Sequence, residues 1–171
     1  IYTLEKTTLN IEYVVINKGE NKMPFSIGAH PAIALPENFE NYSFKFEKEE
    51  SLKYNLLEND LISNKTEILK TTENAVPLNY KLFENDALVL KKLNSNSILL
   101  KENNLHVLNF SFKDFPNFGI WTKINAPFIC LEPWVGYADT IDAKGNILEK
   151  EGIQVLEPKK NDTFTFTISI L

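Results

Sequence analysis

Two short segments, far apart in the chain, carry the side chains best suited to proton transfer. The first is 25–31, with the sequence FSIGAHP, and the second is 130–139, with the sequence CLEPWVGYAD. In both, glycine and proline interrupt apolar residues, which predicts that His30 and Glu132 lie at strand ends or turns. An imidazole and a carboxylate that face one substrate can donate and accept protons in the same step. The two segments therefore predict an acid–base site if the fold brings them together.

The neighbours of His30 restrict its backbone. Pro31 favours an extended conformation at His30, and Gly28 permits a bend just before it. Imidazole exchanges protons near neutral pH, which suits a catalytic acid. From these residues alone, the alternative is a loop histidine whose nitrogens are satisfied by backbone groups.

Glu132 follows the apolar run 128–131 and precedes Pro133 and Trp134. We expect a carboxylate in this setting to be partly removed from water, which raises its pKa towards values useful for a base. The alternative is a glutamate at a strand end that points to solvent. Trp134 could form an apolar wall against a ligand or belong to the core, and both interpretations stay open.

Together, the segments 26–32 (SIGAHPA) and 132–139 (EPWVGYAD) resemble the aldose 1-epimerase, or galactose mutarotase, superfamily, in particular its LacX-like bacterial branch. In that family these motifs hold the catalytic histidine and glutamate. The resemblance implies that His30 protonates the ring oxygen of a sugar and that Glu132 removes the proton of the anomeric hydroxyl.

The implied activity is that of an isomerase, which interconverts the α and β anomers of an aldohexose and needs no cofactor. We expect the side-chain tips of His30 and Glu132 to straddle one pyranose ring, a few ångströms beyond hydrogen-bond reach. The implied partner is a small sugar.

Three further side chains are candidates for sugar contacts or for structural roles. Asp86, in the segment LFENDAL, resembles a family segment whose aspartate binds distal sugar hydroxyls, although an ordinary turn aspartate is the alternative. Asp139 could bind a sugar hydroxyl, but we favour a role in stabilising its turn. Trp121, in the segment FGIWT, resembles a family strand and is assigned a structural role; Trp134 stays a candidate sugar-binding residue.

The remaining histidine and the sole cysteine suggest no further chemistry. His106 alternates in phase with Leu108, Phe110 and Phe112, so we expect it to share their strand face as a structural histidine. No group of His, Cys and Asp residues has the sequence spacing of metal ligands, so we predict no metal site. A single cysteine, Cys130, cannot form an internal disulfide.

Two-residue alternation of apolar and polar side chains dominates the chain. In the segment 163–170, we expect Phe164, Phe166, Ile168 and Ile170 to face a common core. Further strands are predicted at 9–16, 42–47, 87–90, 97–101, 105–112, 119–123 and 128–131, with one helical turn at 81–86. Many short strands joined by turns predict an all-β sandwich or barrel. The resemblance implies a single galactose-mutarotase-like antiparallel β-sandwich domain over residues 1–171, with a sugar cleft on one concave sheet.

The composition argues against several classes of function. The chain of 171 residues has a formal charge of −5, and all 18 of its basic residues are lysines, which disfavours a nucleic-acid binder. No apolar stretch is long enough to cross a bilayer, and no signal-peptide pattern opens the chain. We therefore expect a cytoplasmic protein that does not bind membranes.

The chain begins at Ile1 in sequence that already resembles a strand. By the family resemblance, a histidine and a sugar-binding arginine precede the SIGAHPA segment, and residues 1–29 contain neither. We therefore expect the N-terminal portion of the domain to be absent, and open sheet edges to favour a homodimer or a companion N-terminal segment. Two interpretations compete with an active enzyme: a non-catalytic carbohydrate-binding module, and an inactive fragment that needs another chain.

Overall fold

Short β-strands form most of the structure, because apolar and polar side chains alternate along much of the chain. The computed structural model describes residues 1–71 and 75–171. The strands are β1 Tyr2–Glu5, β2 Thr8–Ile16, β3 Met23–Phe25, β4 Ala32–Ala34, β5 Tyr42–Phe46, β6 Lys53–Glu58, β7 Leu61–Ile68, β8 Ala75–Pro77, β9 Leu88–Leu90, β10 Ser97–Glu102, β11 Leu105–Ser111, β12 Asn117–Trp121, β13 Phe128–Trp134, β14 Gln154–Leu156 and β15 Asn161–Ile170. Short 3-10 helices occupy Phe39–Asn41, Tyr80–Phe83 and Ile147–Glu149.

Two antiparallel sheets contain nearly all of these strands. The seven-stranded sheet has the order β1-β2-β15-β11-β10-β5-β8, and the six-stranded sheet has the order β4-β13-β12-β9-β6-β7. Strands β14 and β3 form a separate pair. The prediction of an all-β fold with antiparallel sheets is confirmed. Within the described ranges, no helix is long and apolar enough to cross a membrane.

Aromatic side chains from both sheets form the centre of the core. The ring of Phe110 on β11 lies 5.5 Å from that of Phe166 on β15 and 5.6 Å from that of Phe118 on β12. All three side chains are buried. The sandwich is therefore closed by direct contact between the inner faces of its two sheets.

Each strand predicted from the sequence is present, with ends that differ by a few residues at most. The 3-10 helix Tyr80–Phe83 overlaps the predicted helical turn. The strands Lys53–Glu58 and Leu61–Ile68 were not predicted, because most of their side chains are partly or fully exposed and show no clean apolar alternation. They pair with each other at one edge of the six-stranded sheet.

Two expectations about strand faces were wrong. Ile170 is 55% exposed, because the core contacts of β15 extend only as far as Ile168. His106 is exposed and does not share the face of Leu108, since a bulge in the pairing of β10 with β11 shifts the register between these residues. As a result Val107, and not His106, packs against the core.

Candidate active site

Strand β13 presents different side chains to its two faces. Ile129 and Leu131 belong to the core between the sheets. Cys130, Glu132 and Trp134 alternate with them and therefore project from the opposite face of the six-stranded sheet. Glu132 is paired with Gly119 of β12 and so lies inside the strand, not at its end as the sequence predicted.

The strand continues past Glu132 although Pro133 has no backbone N–H to donate, because its carbonyl oxygen can still accept a hydrogen bond. Its carbonyl oxygen accepts a hydrogen bond from the backbone N–H of Ala29 at 3.1 Å. On the other side of His30, the carbonyl oxygen of Pro31 accepts from the N–H of Leu131 at 3.2 Å. These two hydrogen bonds hold the backbone of His30 alongside β13.

The side chains of His30 and Glu132 meet on this face. His30 Nδ1 lies 2.8 Å from Glu132 Oε2, and the His30 side chain is 60% exposed. The expectation that the two residues converge agrees with this geometry, but the expected gap between their tips does not. The carboxylate and the imidazole are in direct hydrogen-bond contact. A ligand that used both groups would have to part them, and the exposed imidazole is the one free to move.

Burial changes the acid–base character of Glu132. The residue is only 4% exposed, and this loss of hydration raises the pKa of its carboxyl above the ordinary value. The adjacent His30 opposes the increase, and the charge of Asp86 adds to it. Glu132 is therefore a stronger base when ionised than a glutamate in water.

The ring of Trp134 lies against Gly28 and Gly119 because these two glycines leave room for it. A Cβ atom at Gly119 would lie 2.5 Å from Trp134 Cζ2, and one at Gly28 would lie 2.6 Å from Trp134 Cδ1. Trp134 is partly exposed and is not part of the main core cluster. Its placement on the face of Glu132 favours the interpretation as an apolar wall over that of a core residue.

Trp121 also lines this face, although the sequence assigned it a structural role. It is paired with Cys130, so the two side chains lie on the same side of the sheet. Its ring centroid is 6.1 Å from that of His30 and 6.0 Å from that of Phe128. No local pattern could have identified it, because the pairing that puts Trp121 beside Cys130 appears only in the fold.

The two candidate aspartates have different surroundings. Asp86 is exposed, has a backbone φ of +78° and accepts a hydrogen bond from the N–H of Ala87. Its negative charge adds a little to the raised pKa of Glu132. Asp139 forms an ion pair with Lys150 at 2.5 Å, which favours its structural role over sugar binding.

A separate cavity of about 750 Å³ lies beside the segment 139–153. Its lining includes Ser26, Asp139 and Lys150 but neither His30 nor Glu132. His30 and Glu132 lie instead on the outer face of the six-stranded sheet, which Trp121 and Trp134 share.

The cost of burying Glu132 gives a stability prediction. Folding raises the pKa of Glu132 above its value in the unfolded chain. The stability that this residue contributes is therefore fully present at a pH below its unfolded pKa and is lost as the pH rises through its folded pKa. The amide of Glu132→Gln does not titrate and can still accept from His30. We therefore expect this variant to melt at a higher temperature than the parent at about pH 8 and at nearly the same temperature at about pH 4, with each kcal/mol worth about 2–4 °C.

Thermal melts of the two chains over this pH range check the prediction. Glu49→Gln, at an exposed position, is the control and should show no such pH-dependent difference. A Glu132→Gln variant that is less stable than the parent at alkaline pH would contradict the assigned cost of burial.

Comparison with known proteins decides the family. The family model described as aldose 1-epimerase matches residues 1–154. The chain belongs to the aldose 1-epimerase family. The predicted resemblance is therefore confirmed for nearly the whole chain.

The chain is similar to the plasmid and chromosomal LacX proteins of Lactococcus lactis subsp. lactis, and is 35% identical to each over 183 residues. These matches cover 100% of the chain and 60% of each LacX protein. The chain thus spans about three fifths of the length of these relatives.

Solved structures show the same fold. A galactose mutarotase related enzyme from Lactobacillus acidophilus superposes with a TM-score of 0.90 at 29% identity, over 99% of this chain and 59% of that one. A galactose mutarotase-like protein from Lactobacillus casei superposes with a TM-score of 0.86 at 23% identity, over 99% of this chain and 61% of that one. The galactose-mutarotase-like β-sandwich is therefore confirmed.

Proposed function

We propose that this protein interconverts the α and β anomers of an aldohexose, with His30 and Glu132 as acid and base. The observation that carries the proposal is the 2.8 Å contact between His30 Nδ1 and Glu132 Oε2 on one sheet face. Membership of the aldose 1-epimerase family supports a sugar substrate.

The reaction requires two proton transfers. Glu132 removes the proton from the hydroxyl on C1 while His30 gives a proton to the ring oxygen O5, and the C1–O5 bond breaks to leave the open-chain aldehyde. Rotation about the C1–C2 bond presents the other face of the aldehyde. Return of the O5 proton to His30 and of the Glu132 proton to O1 closes the ring as the other anomer. The raised pKa of Glu132 favours its role as base, because it reduces the difference between the pKa of this carboxyl and the pKa of the C1 hydroxyl that it deprotonates.

The surroundings of the pair fit a pyranose. The apolar faces of Trp134 and Trp121 can pack against the C–H groups of a sugar ring, as aromatic side chains do with apolar surfaces. Asp86, exposed near Glu132, is proposed to accept hydrogen bonds from distal hydroxyls. The sugar would enter from solvent, separate His30 from Glu132 and form a hydrogen bond with each of them.

The direct test follows anomer exchange. Freshly dissolved α-D-glucose and α-D-galactose are mixed with the protein, and the approach to anomeric equilibrium is followed by polarimetry or by exchange between the two anomeric proton signals in NMR. A rate above that of buffer, proportional to protein concentration, supports the proposal. Sugar binding without acceleration would replace it with a carbohydrate-binding role.

A further inference from the structure

A third potential metal ligand lies beside the acid–base pair. A ring nitrogen of His30, the Sγ of Cys130 and a carboxylate oxygen of Glu132 all lie within 4.8 Å of one another. Imidazole nitrogen, thiolate sulfur and carboxylate oxygen are the three protein ligands that Zn²⁺ takes up. The sequence spacing concealed this set, because the loop that holds His30 reaches β13 only through the fold.

The burial and the charge of these side chains favour a divalent cation that binds sulfur. Cys130 and Glu132 are 1% and 4% exposed, yet both project from the site face and not into the core between the sheets. A thiolate and a carboxylate together balance the charge of a divalent cation, and Asp86 contributes further negative potential at Glu132. A sulfur ligand selects Zn²⁺ and similar soft ions over Mg²⁺ and Ca²⁺, which prefer oxygen alone.

The geometry requires only a small adjustment. Tetrahedral zinc with ordinary bond lengths places neighbouring donor atoms about 3.3–3.6 Å apart. The buried Cys130 and Glu132 are held two residues apart on β13, whereas the His30 side chain is 60% exposed and can rotate to meet a cation. Three protein ligands leave a fourth position for water or a sugar oxygen.

We propose that His30, Cys130 and Glu132 form a binding site for a soft divalent cation such as Zn²⁺, which inhibits the protein by occupying the acid–base pair. Metal binding stands independently of the function proposed above, whereas inhibition rests on that function. A Zn²⁺ ion on one Glu132 oxygen and one His30 nitrogen takes lone pairs that would otherwise accept protons, lowers the basicity of both groups and fills the space between them where the sugar would react.

Cobalt provides a readout that does not depend on activity. Co²⁺ is titrated into the chain, and the near-ultraviolet charge-transfer absorption from thiolate to Co²⁺ is recorded, then displaced with Zn²⁺. Cys130 is the sole cysteine, so such a band reports this residue alone. We expect a saturable band in the parent, none in Cys130→Ser, and at least ~10-fold weaker Co²⁺ affinity in His30→Asn and Glu132→Gln.

The other histidine gives a matched control. His106→Asn removes an exposed imidazole outside the cluster and should bind Co²⁺ as the parent does. Absence of the band in folded parent at saturating Co²⁺ would overturn the metal site. A band of unchanged affinity in both His30→Asn and Glu132→Gln would overturn it as well.

The inhibition is tested by the ratio of anomer-exchange rates with and without Zn²⁺, measured within each variant. We expect at least a ~10-fold decrease in the parent at saturating Zn²⁺ and a much smaller one in Cys130→Ser. A cobalt band without inhibition of an active protein would refute the inhibitory role and retain the site. If the protein shows no anomer exchange at all, the function proposed above fails, and the cobalt titration still decides the metal site.

Discussion

Glu132→Gln and His30→Asn are each expected to slow anomer exchange by at least ~10²-fold, the contribution typical of a positioned acid or base. The glutamine in the first variant would keep the shape of the side chain and a hydrogen-bond acceptor for His30 but could not take a proton from the C1 hydroxyl. The asparagine in the second would keep a polar group near Glu132 but could not deliver a proton to the ring oxygen at neutral pH. The losses should appear in kcat more than in sugar affinity, because both groups act on the atoms that react.

Exchange rates measured by NMR over a range of sugar concentrations separate these two quantities. The double variant should lose less than the product of the single losses, since the two residues serve one concerted step. His106→Asn and Glu49→Gln change the same residue types at exposed positions and should leave the rate unchanged. Full activity in both Glu132→Gln and His30→Asn would refute the assignment of the acid and the base.

Gly119→Ala is expected to destabilise the chain by about 1–3 kcal/mol, the usual cost of overpacking a closely packed position. The added Cβ would lie 2.5 Å from Trp134 Cζ2 and 2.6 Å from Cη2, so the ring would have to leave its place over β12. Because Trp134 is next to the acid–base pair, sugar affinity should also fall. Denaturant unfolding measures the stability, and tryptophan fluorescence in a Trp121→Phe background, where Trp134 is the only tryptophan, reports the movement of its ring.

A double-mutant cycle isolates this contact. In the background of Trp134→Leu, which removes the indole ring, Gly119→Ala should cost much less than in the parent. If Gly119→Ala lowers the free energy of unfolding equally in the two backgrounds, the position of the Trp134 ring does not require a glycine at position 119.

The strands that bear the site could be predicted because their pattern is local. Along β13, alternation puts Ile129 and Leu131 on one face and Glu132 on the other, so burial of the first two determines the direction of the third. The length of β13 was underestimated, because Pro133 usually ends a strand and here uses its carbonyl oxygen in a bond to Ala29. Side chains beyond a bulge, such as His106, cannot be assigned to a face from spacing alone.

The amino-acid sequence by itself determined the all-β class, the positions of its main strands and the two segments that hold His30 and Glu132. These properties depend on residue type and on two-residue periodicity, which act over a few neighbouring positions. Tertiary structure alone decided that His30 touches Glu132, that Cys130 joins them and that Trp134 lies across Gly119. Those contacts join residues of separate strands and loops, and they depend on backbone hydrogen bonds between segments whose pairing no local pattern specifies.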